Sequence, residues 1–320
     1  MDGEIIIERI TAKKVFKNSK IGIKITTLTP VGIGYHIIPV KNPDYVISDI
    51  ENIIAPELVG HPVSDQDLID SIICSTPIED TVTTMGVSLS VSQAAANALE
   101  IPLFKYIGGA LSTQLPSVAC PLLSDGEGDL IVIPITESIE EMVYLYRKLL
   151  ENLSITYKDT VVDIEGRYRC KNIFQELDRF KGIVSEVSEE EDIKILVGAS
   201  LRENIDDNEI FEKISDLDYL ESPKTVEFDG ILTTEDIDDV ADFSKVEPYT
   251  VSTLSELYYY IEYILERGLN PLIAGNNPTF SHIAVGLKTP LIRCSINSNI
   301  LNELWDIERI LNNPYINKLL

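Results

Sequence analysis

The side chains of this chain that could carry chemistry are mainly carboxylates and cations at the ends of apolar segments. Glu221 and Asp229 are two acids close in sequence, and carboxylate oxygens are the ligands that hard divalent cations prefer. Two carboxylates without a third make a weak metal site, so solvated acids are the competing interpretation. Lys245 and Arg293 are cations that could together form a small positively charged pocket. The residue types therefore allow a divalent-cation site or a cationic pocket.

Other residues that often build sites lack a useful spacing in this chain. His36, His61 and His282 fit no metal-ligand pattern, and the cysteines never form a pair separated by two residues. We interpret the four thiols as reduced and mostly buried; they are Cys74, Cys120, Cys170 and Cys294. The Gly-Glu-Gly segment at 126–128 could cradle a phosphate through backbone amides, but the acids beside it oppose an anion.

Composition narrows the classes of partner. The chain has 320 residues, 44% of them hydrophobic, which is enough for two domains or for one large barrel with a cap. The formal net charge of −26 makes nucleic acid and anionic membranes unfavourable partners. The acidic N-terminus lacks a signal-peptide layout, and no apolar run approaches the roughly 18 residues of a membrane span. We therefore expect a cytoplasmic protein that binds neither.

The first part of the chain has the pattern of an α+β domain. Apolar residues alternate with polar ones in three segments, 4–16, 21–28 and 32–40, which predicts a three-stranded meander. Helices are predicted over 45–58 and 64–75, with Ser64 as the N-cap of the second.

The pattern changes after residue 116 to short strands that alternate with helices. Strands are predicted at 117–123, 130–135, 160–164, 193–197, 219–220, 226–232 and 272–274. Helices are predicted at 137–152, 174–187, 209–217, 255–267 and 301–311. Repeated strand–helix units favour a parallel α/β arrangement, and a barrel with functional groups at the carboxyl ends of its strands is the best candidate.

One connection is too short for that arrangement. The candidate strands at 219–220 and 226–232 leave no room for a crossover helix, whereas parallel neighbours normally need a dozen or more connecting residues. Either the barrel lacks a helix here, or one of the two strands is misplaced.

Residues 85–109 form the most distinctive stretch of the sequence. Val87, Val91, Ala94, Ala95 and Ala98 recur at helical spacing on a narrow apolar face. A proline then ends the predicted helix, and a second short amphipathic piece closes with two glycines.

This stretch closely resembles the last helix of the N-terminal domain of enolases, with its small-residue run, its Pro-Leu-aromatic step and its closing Gly-Gly. The resemblance extends over nearly the whole chain, and it implies an α+β cap domain over residues 1–115. A shortened, TIM-like barrel of the enolase type would follow over residues 116–320. Enolases usually form homo-oligomers, so the resemblance also implies self-association.

Enolases hold Mg²⁺ with three carboxylates at consecutive barrel strand ends, and two of these positions have a counterpart here. The Leu-Glu-Ser-Pro segment at 220–223 resembles the family's Ile-Glu-Asp-Pro, which places Glu221 among the metal ligands. The segment at 228–231 can be aligned with the family's Asp-Asp-Leu, which places Asp229 there as well. The first metal-binding aspartate should lie near residues 197–200, where no carboxylate occurs. The resemblance thus implies Mg²⁺ as a cofactor with an incomplete ligand set.

The catalytic positions can be aligned in the same way. Glu165 stands near the family's acid if one residue shifts. The Ser-Thr-Leu-Ser-Glu segment at 252–256 matches Gly-Thr-Leu-Ser-Glu, and counting back puts Glu247 at the lysine base, or Lys245 if two residues are inserted. Arg293 replaces the second active-site lysine.

Several active-site segments of the family are missing, including the serine loop and the substrate-binding His and Arg. The sequence therefore predicts an enolase-like protein that has lost dehydration of 2-phosphoglycerate and acts by binding or assembly. Two alternatives stay open. One is a working Mg²⁺-dependent enolase of glycolysis. The other is an enolase-superfamily enzyme acting on another carboxylate, with Glu247 or Lys245 as its base.

Overall fold

The computed structural model describes residues 4–17, 20–202, 212–238, 240–312, 314–317 and 319. Two compact units make up the chain: residues 1–112 with 247–263, and residues 113–246 with 264–320. Of the predicted helix at 209–217, the first three residues lie outside the described residues, and residues 212–214 are helical. The division at residue 115 into an enolase-like cap and an enolase-like barrel domain stays a prediction.

The first unit contains an antiparallel sheet of three strands, as the alternating pattern predicts. The strands are β1 (Arg9–Lys17), β2 (Lys20–Leu28) and β3 (Ile33–Pro39), in the order β1-β2-β3. Alternation places one face of the sheet in the core, with Ile10, Ile23, Ile25 and Ile38 almost completely buried.

Helices of the first unit pack on this buried face. The helices of this unit are α1 (Pro43–Asp49), a π-helical turn (Ile50–Ile54), α2 (Ala55–Leu58), α3 (Gln66–Ser75), α4 (Thr81–Ala98) and α5 (Leu103–Gly108), and α8 (Leu254–Glu266) begins in it. The N-cap of α3 is Asp65, whose carboxylate accepts from the amide of Leu68, so the expectation for Ser64 is wrong by one residue. Aspartate and serine both suit this position, and the local pattern does not choose between neighbours.

Helix α4 lies at the centre of the first unit. Val87, Val91, Ala94 and Ala95 belong to its hydrophobic core, which confirms most of the predicted face. Small residues let the helix approach β3 closely: a Cβ at Gly34 would lie 2.2 Å from the backbone of Ser90 and Ala94. The sequence of α4 is therefore dictated by close packing.

The second unit is a closed barrel of eight strands. They are β5 (Ser117–Ser124), β6 (Gly128–Pro134), β8 (Ile195–Leu201), β9 (Tyr219–Ser222), β10 (Ile231–Thr234), β11 (Phe243–Val246), β12 (Asn270–Ala274) and β13 (Leu291–Arg293). Each strand pairs with the next in this order, and β13 pairs with β5 to close the ring. A short strand, β7 (Tyr168–Arg169), pairs with the far end of β5. Two further short strands, β4 (Gln114–Leu115) and β14 (Tyr315–Ile316), pair with each other outside the barrel.

The strands of the second unit differ from the prediction in two respects. Strand β6 runs antiparallel to both of its neighbours, because a tight turn joins it to β5, so the barrel is not uniformly parallel. The predicted strand at 160–164 is wrong: apart from an isolated bridge at Val162, this segment is a loop. Its apolar residues are exposed, so local apolarity was misleading there.

The short connection seen in the sequence is real. β9 and β10 are parallel neighbours, and residues 223–230, which join them, contain no helix. β10 and β11 are likewise parallel, and among the described residues of 235–242 there is no helix either. Elsewhere the second unit carries α6 (Ile139–Thr156), α7 (Ile173–Glu191), α9 (Thr279–Gly286) and α10 (Ile300–Ile310).

The interior of the barrel is apolar towards the edge where most strands begin. One buried cluster gathers alternate residues from all eight strands: Ala119, Ile131, Ile133, Leu196, Tyr219, Ile231, Phe243, Leu272, Ala274 and Leu291. Because side chains alternate along a strand, residues two positions further towards the opposite edge also point inward. Those positions carry the polar groups of the barrel mouth.

Candidate functional site

Four inward positions form one layer at the mouth of the barrel. The ladder pairs Asp129 with Ser200, Ser200 with Glu221, and Glu221 with Thr233, across the neighbouring strands β6, β8, β9 and β10. Asp129 joins this layer because β6 runs in the opposite direction, so its first residues lie where the other strands end. The layer therefore holds two carboxylates, Asp129 and Glu221, each 4% exposed.

Arg293 neutralises both carboxylates from the end of β13. Its Nη2 donates to Oδ2 of Asp129 at 2.9 Å, and its Nε lies 3.4 Å from Oε2 of Glu221. Burial alone would lower the pKa of Arg293, but the Glu221 and Asp129 carboxylates raise it above its ordinary value. The guanidinium therefore stays charged between the two acids.

Glu221 has a further partner below it in the barrel. The hydroxyl of Tyr219 donates to Oε1 of Glu221 at 2.9 Å. Burial raises the pKa of Tyr219 well above its ordinary value, and the nearby Glu221 carboxylate raises it further. The phenol is consequently a fixed hydrogen-bond donor to Oε1, whereas Oε2 accepts no hydrogen bond and has only the ion pair with Arg293 at 3.4 Å.

A second guanidinium covers the mouth from the loop that follows α6. Nη1 of Arg167 donates to both oxygens of Asp129, at 3.0 and 3.2 Å, and its Nε donates to Asp163 at 3.0 Å. Its Nη2 lies 3.1 Å from the carboxylate of Glu165. The planar guanidinium thus holds three carboxylates at once, which suits its fixed fork of donors.

Asp163 shapes the loop that positions Arg167. Its Oδ1 accepts from the amides of Glu165 and Arg167, and Gly166 adopts a φ of +87° to complete the turn. Burial acts to raise the pKa of Asp163, but the hydrogen bonds from these amides and from the Arg167 guanidinium outweigh it, so the pKa is lowered. Asp163 is therefore ionised and bound to its loop.

The predicted base positions have different surroundings. Lys245 lies two residues beyond the buried Phe243 on β11, so it shares the inward face, and its Nζ is 3.3 Å from Glu235. Glu247 is exposed and directly precedes the short 3-10 turn Pro248–Thr250. It belongs to the first compact unit, whereas Lys245 belongs to the second.

Asp229 is not brought to Glu221. It precedes β10, whose Thr233, four residues later, pairs with Glu221. Asp229 thus lies before the first residue of β10, at the edge of the barrel where this strand begins, whereas Glu221 lies towards the end of the parallel strand β9. A metal-binding role for Asp229 or Glu221 stays a prediction. Glu165, Glu221 and Arg293, by contrast, meet in the network at the mouth.

The loop at 124–128 does not offer a phosphate cradle. Oδ1 of Asp125 accepts from the amides of Glu127 and Gly128, and the amide of Gly126 donates to the Ser124 hydroxyl. The other oxygen of Asp125 accepts from the amide of Ile173, the first residue of α7. These amides are engaged, so the loop serves to start a helix.

The network does not suit a magnesium ion. Of the three inward positions on β8, β9 and β10, only Glu221 is a carboxylate, since Ser200 and Thr233 flank it. Magnesium requires oxygen ligands with free lone pairs in a near-octahedral arrangement, and here the oxygens of Asp129 are already bound to two guanidinium groups. No group of three or more acid, His or Cys side chains among the described residues is placed to hold a metal ion.

Sequence reasoning overlooked half of this network. Asp129, Asp163 and Arg167 were not among the predicted site residues, although Asp129 starts an apolar strand and Asp163 lies in the loop matched to Glu165. A charged residue at the start of a fully apolar strand was the available signal for Asp129. Arg167 is separated from Asp129 by 38 residues, and no pattern in the chain connects them.

Fold and site together define a closed-barrel protein whose mouth is filled by guanidinium–carboxylate pairs. Its sequence is 49% identical over 316 residues to an uncharacterised protein of Methanocaldococcus jannaschii, covering 98% of this chain and 99% of the other. The chain therefore belongs to the same family as that protein. A scan against models of known protein families found no match.

Enolases show a weaker and partial similarity. The enolase of Mesomycoplasma hyopneumoniae strain J is 30% identical over 141 residues, which cover 38% of this chain and 31% of the enolase. The enolase of Methanosphaera stadtmanae is 29% identical over 126 residues, covering 33% and 30%. This chain thus matches about a third of the length of each of these enolases, and a distant enolase-like relation is supported. None of the described helices has both the length and the apolarity needed to cross a bilayer.

Proposed function

We propose that this protein is an enolase-related barrel protein that has lost Mg²⁺-dependent dehydration of 2-phosphoglycerate and acts by binding or assembly. In this proposal the first unit corresponds to the enolase cap and the second to a shortened enolase-type barrel. The resemblance to enolases also makes a homo-oligomer the expected form in solution.

The proposal rests on one observation: Arg293 and Arg167 form ion pairs with the carboxylates at the barrel mouth. In the enolase reaction, metal ions at this place stabilise a doubly charged intermediate. Here, fixed cations pair with Asp129 and Glu221 at 2.9 and 3.4 Å, and the flanking strands supply Ser200 and Thr233 instead of acids. Breaking buried ion pairs to admit a metal would leave charges uncompensated, which is costly.

A second candidate is an enolase-superfamily enzyme that acts on another carboxylate. The observation that favours it is the inward position of Lys245, whose side chain is 18% exposed near the mouth that contains Arg293. A lysine in such a place could remove a proton next to a carboxylate held by a guanidinium. Arg293 is already paired with Asp129 and Glu221, so it is not available to hold a substrate carboxylate, and this candidate is the weaker of the two.

The loss of enolase activity is tested by mixing purified protein with excess MgCl₂ and 2-phosphoglycerate and following the formation of phosphoenolpyruvate by absorbance. The proposal expects no turnover above the buffer rate. Turnover on the order of ten per second or more, the range of ordinary enzymes, would overturn it. A Lys245→Ala variant serves as the matched control, because activity that depends on Lys245 cannot come from a contaminating enolase.

Metal binding is tested separately by thermal unfolding with and without MgCl₂. A ligand that binds only the folded state raises the unfolding temperature, so the proposal expects equal Mg²⁺ responses from the wild type and Glu221→Gln. A stabilisation by Mg²⁺ that Glu221→Gln abolishes would contradict the loss of the metal site. Light scattering during size-exclusion chromatography measures the oligomeric state. A strictly monomeric protein would argue against the proposed homo-oligomer.

A further inference from the structure

Two buried thiols lie together where the barrel closes. Sγ of Cys120 and Sγ of Cys294 are 3.9 Å apart, and both residues are almost completely buried. They come from β5 and from the residue that follows β13, and they are 174 positions apart in sequence. Nothing in the proposed function uses them.

The ladder places these thiols side by side. Arg293 pairs with Ala119, and the amide of Cys294 donates to the carbonyl of Ala119 at 3.1 Å, so Cys294 and Cys120 follow as the next pair. Neighbouring strands lie about 4.8 Å apart, which falls within the Cα separation that a disulfide spans. Since Ala119 points into the barrel, both cysteines point outward on the same face.

The two thiols are chemically unequal. The hydrogen bond with Cys120 lowers the pKa of Cys294, and Ser298 and the Arg293 guanidinium nearby act in the same direction against burial. Burial raises the pKa of Cys120. A thiolate is the nucleophilic form of cysteine, and Cys294 directly follows the cation Arg293 in the chain, so we assign Cys294 as the attacking member of the pair and Cys120 as the resolving one.

A surface cavity is lined by residues near the pair in the fold. It has a volume of about 440 Å³, and its lining includes Tyr146 of α6 and Ser298. The hydroxyl of Tyr146 donates to the carbonyl of Val118, two residues before Cys120 on β5, at 2.8 Å, and Ser298 lies four residues beyond Cys294. A cavity of this size beside the two strands admits a molecule as small as hydrogen peroxide.

From this geometry we infer that Cys120 and Cys294 form a hydroperoxide-sensitive dithiol site whose oxidised form is a disulfide across the closing seam of the barrel. The Cys294 thiolate attacks one peroxide oxygen, the O–O bond breaks, and hydroxide leaves, giving a sulfenic acid. The sulfur of Cys120 then attacks the sulfenic sulfur; the S–S bond forms, the S–O bond breaks, and water leaves. Two thiols lose two electrons and two protons, and the peroxide becomes two water molecules.

The seam is one of the short ladders of the barrel. β13 and β5 share only three ladder pairs, from Leu291 with Ser117 to Arg293 with Ala119. A disulfide at the next position closes a very long loop, which restricts the unfolded chain. It also fixes the backbone of Arg293, and hence the cation that holds Asp129 and Glu221. A metal ion is a poorer occupant, because no third acid, His or Cys side chain among the described residues joins the pair.

The experiment uses a Cys74→Ser, Cys170→Ser background, which removes the exposed and the half-buried thiol and leaves only the pair. Folded protein is treated with a small excess of hydrogen peroxide, quenched with an alkylating agent, and analysed by intact mass and peptide mapping. The expected result is a Cys120–Cys294 disulfide, with the loss of two hydrogens, full reversal by dithiothreitol, and a higher unfolding temperature when oxidised. Unreacted thiols in the folded background protein, under conditions that oxidise the exposed Cys74 of the wild type, would overturn the inference.

Single substitutions in this background test the order of attack. Cys120→Ser should leave Cys294 as a sulfenic acid that dimedone labels, while Cys294→Ser should leave Cys120 unlabelled. Equal labelling of the two variants would contradict the assigned roles. Circular dichroism checks that each variant is folded. If a variant is unfolded, the peptide map of the oxidised wild-type chain still shows whether the Cys120–Cys294 disulfide forms.

Discussion

Arg293, at the end of the last barrel strand, donates to the carboxylate of Asp129, near the start of the second strand, at 2.9 Å. The two residues are 164 positions apart, and each is mostly buried at the mouth of the barrel. Because Glu221 lies on the other side of the same guanidinium, one cation stabilises two acids on different strands. The network is thus a fixed part of the barrel rather than a set of mobile surface charges.

Replacing Arg293 by methionine should therefore be strongly destabilising. The variant leaves Glu221 without its cation and Asp129 with only Arg167, and removing one partner of a buried ion pair costs about 3 kcal/mol or more. The free energy of unfolding in urea measures the loss. The control is Arg309→Met, which removes an exposed ion pair with Asp306 and should cost less than about 1 kcal/mol. Similar losses in both variants would show that the network at the mouth contributes little.

Asp163 should make the second unit sensitive to acid. Its folded-state pKa is lowered, so its contribution to stability is present above the ordinary carboxyl pKa of 3.8 and is lost as the pH falls through the lowered value. The Asp163→Asn variant lacks this titration. The difference in unfolding free energy between wild type and variant should accordingly be largest near neutral pH and should shrink in acid.

Urea unfolding across the acid range, from pH 7 downwards, measures this difference. Asp306→Asn is the control, because the Asp306 side chain is 67% exposed and its replacement should change stability by less than about 0.5 kcal/mol. A gap between wild type and Asp163→Asn that stays constant with pH would mean that Asp163 acts through loop geometry alone.

Close packing between α4 and β3 predicts a different kind of sensitivity. A Cβ at Gly34 would lie 2.2 Å from backbone atoms of α4, which cannot move aside, so Gly34→Ala should cost at least about 3 kcal/mol through overpacking. Gly182, in the middle of α7, has nothing within 4 Å of the same position. Gly182→Ala should stabilise the chain by roughly 0.5–1 kcal/mol, as alanine does inside helices. Thermal unfolding of both variants checks the contrast, and a neutral Gly34→Ala would refute the close approach.

The elements that sequence reasoning located well are those that local periodicity specifies. Alternation located the three strands of the first unit, and helical spacing located α4, because each pattern directly reflects a buried face. The absent helix between β9 and β10 was also visible, since chain length alone limits what can connect two strands. The loop at 160–164 was misread because Val161 and Ile164 are apolar and yet 72% and 71% exposed.

The candidate site was harder to predict, for a geometric reason. Arg167 and Asp129 meet only because a loop folds over the barrel mouth, and Asp129 reaches the mouth only because β6 runs in reverse. Asp229 was assigned by similarity of letters, but the start of β10 places it at the other edge of the barrel. Strand register and strand direction decide which charged residues become neighbours, and neither can be read from the local sequence.

In the first unit, the buried acid Asp70 should respond to pH in the opposite sense to Asp163. Its carboxylate is 2% exposed and accepts from the hydroxyls of Ser88 and Ser255, from the Ser255 amide at the start of α8, and from Gln66. Burial outweighs these hydrogen bonds and raises the pKa of Asp70 above 3.8. The folded chain therefore holds this proton more tightly than the unfolded chain does.

The consequence is a loss of stability as the pH rises. The contribution of Asp70 is fully present below the ordinary carboxyl pKa and disappears as the pH passes the raised folded value. Asp70→Asn cannot titrate, so the wild type should lose stability relative to this variant across that window. Urea unfolding of both proteins at a series of pH values measures the relative change. A relative stability that does not change, or that changes in the direction expected for Asp163, would mean that the hydrogen bonds from Ser88 and Ser255 outweigh burial.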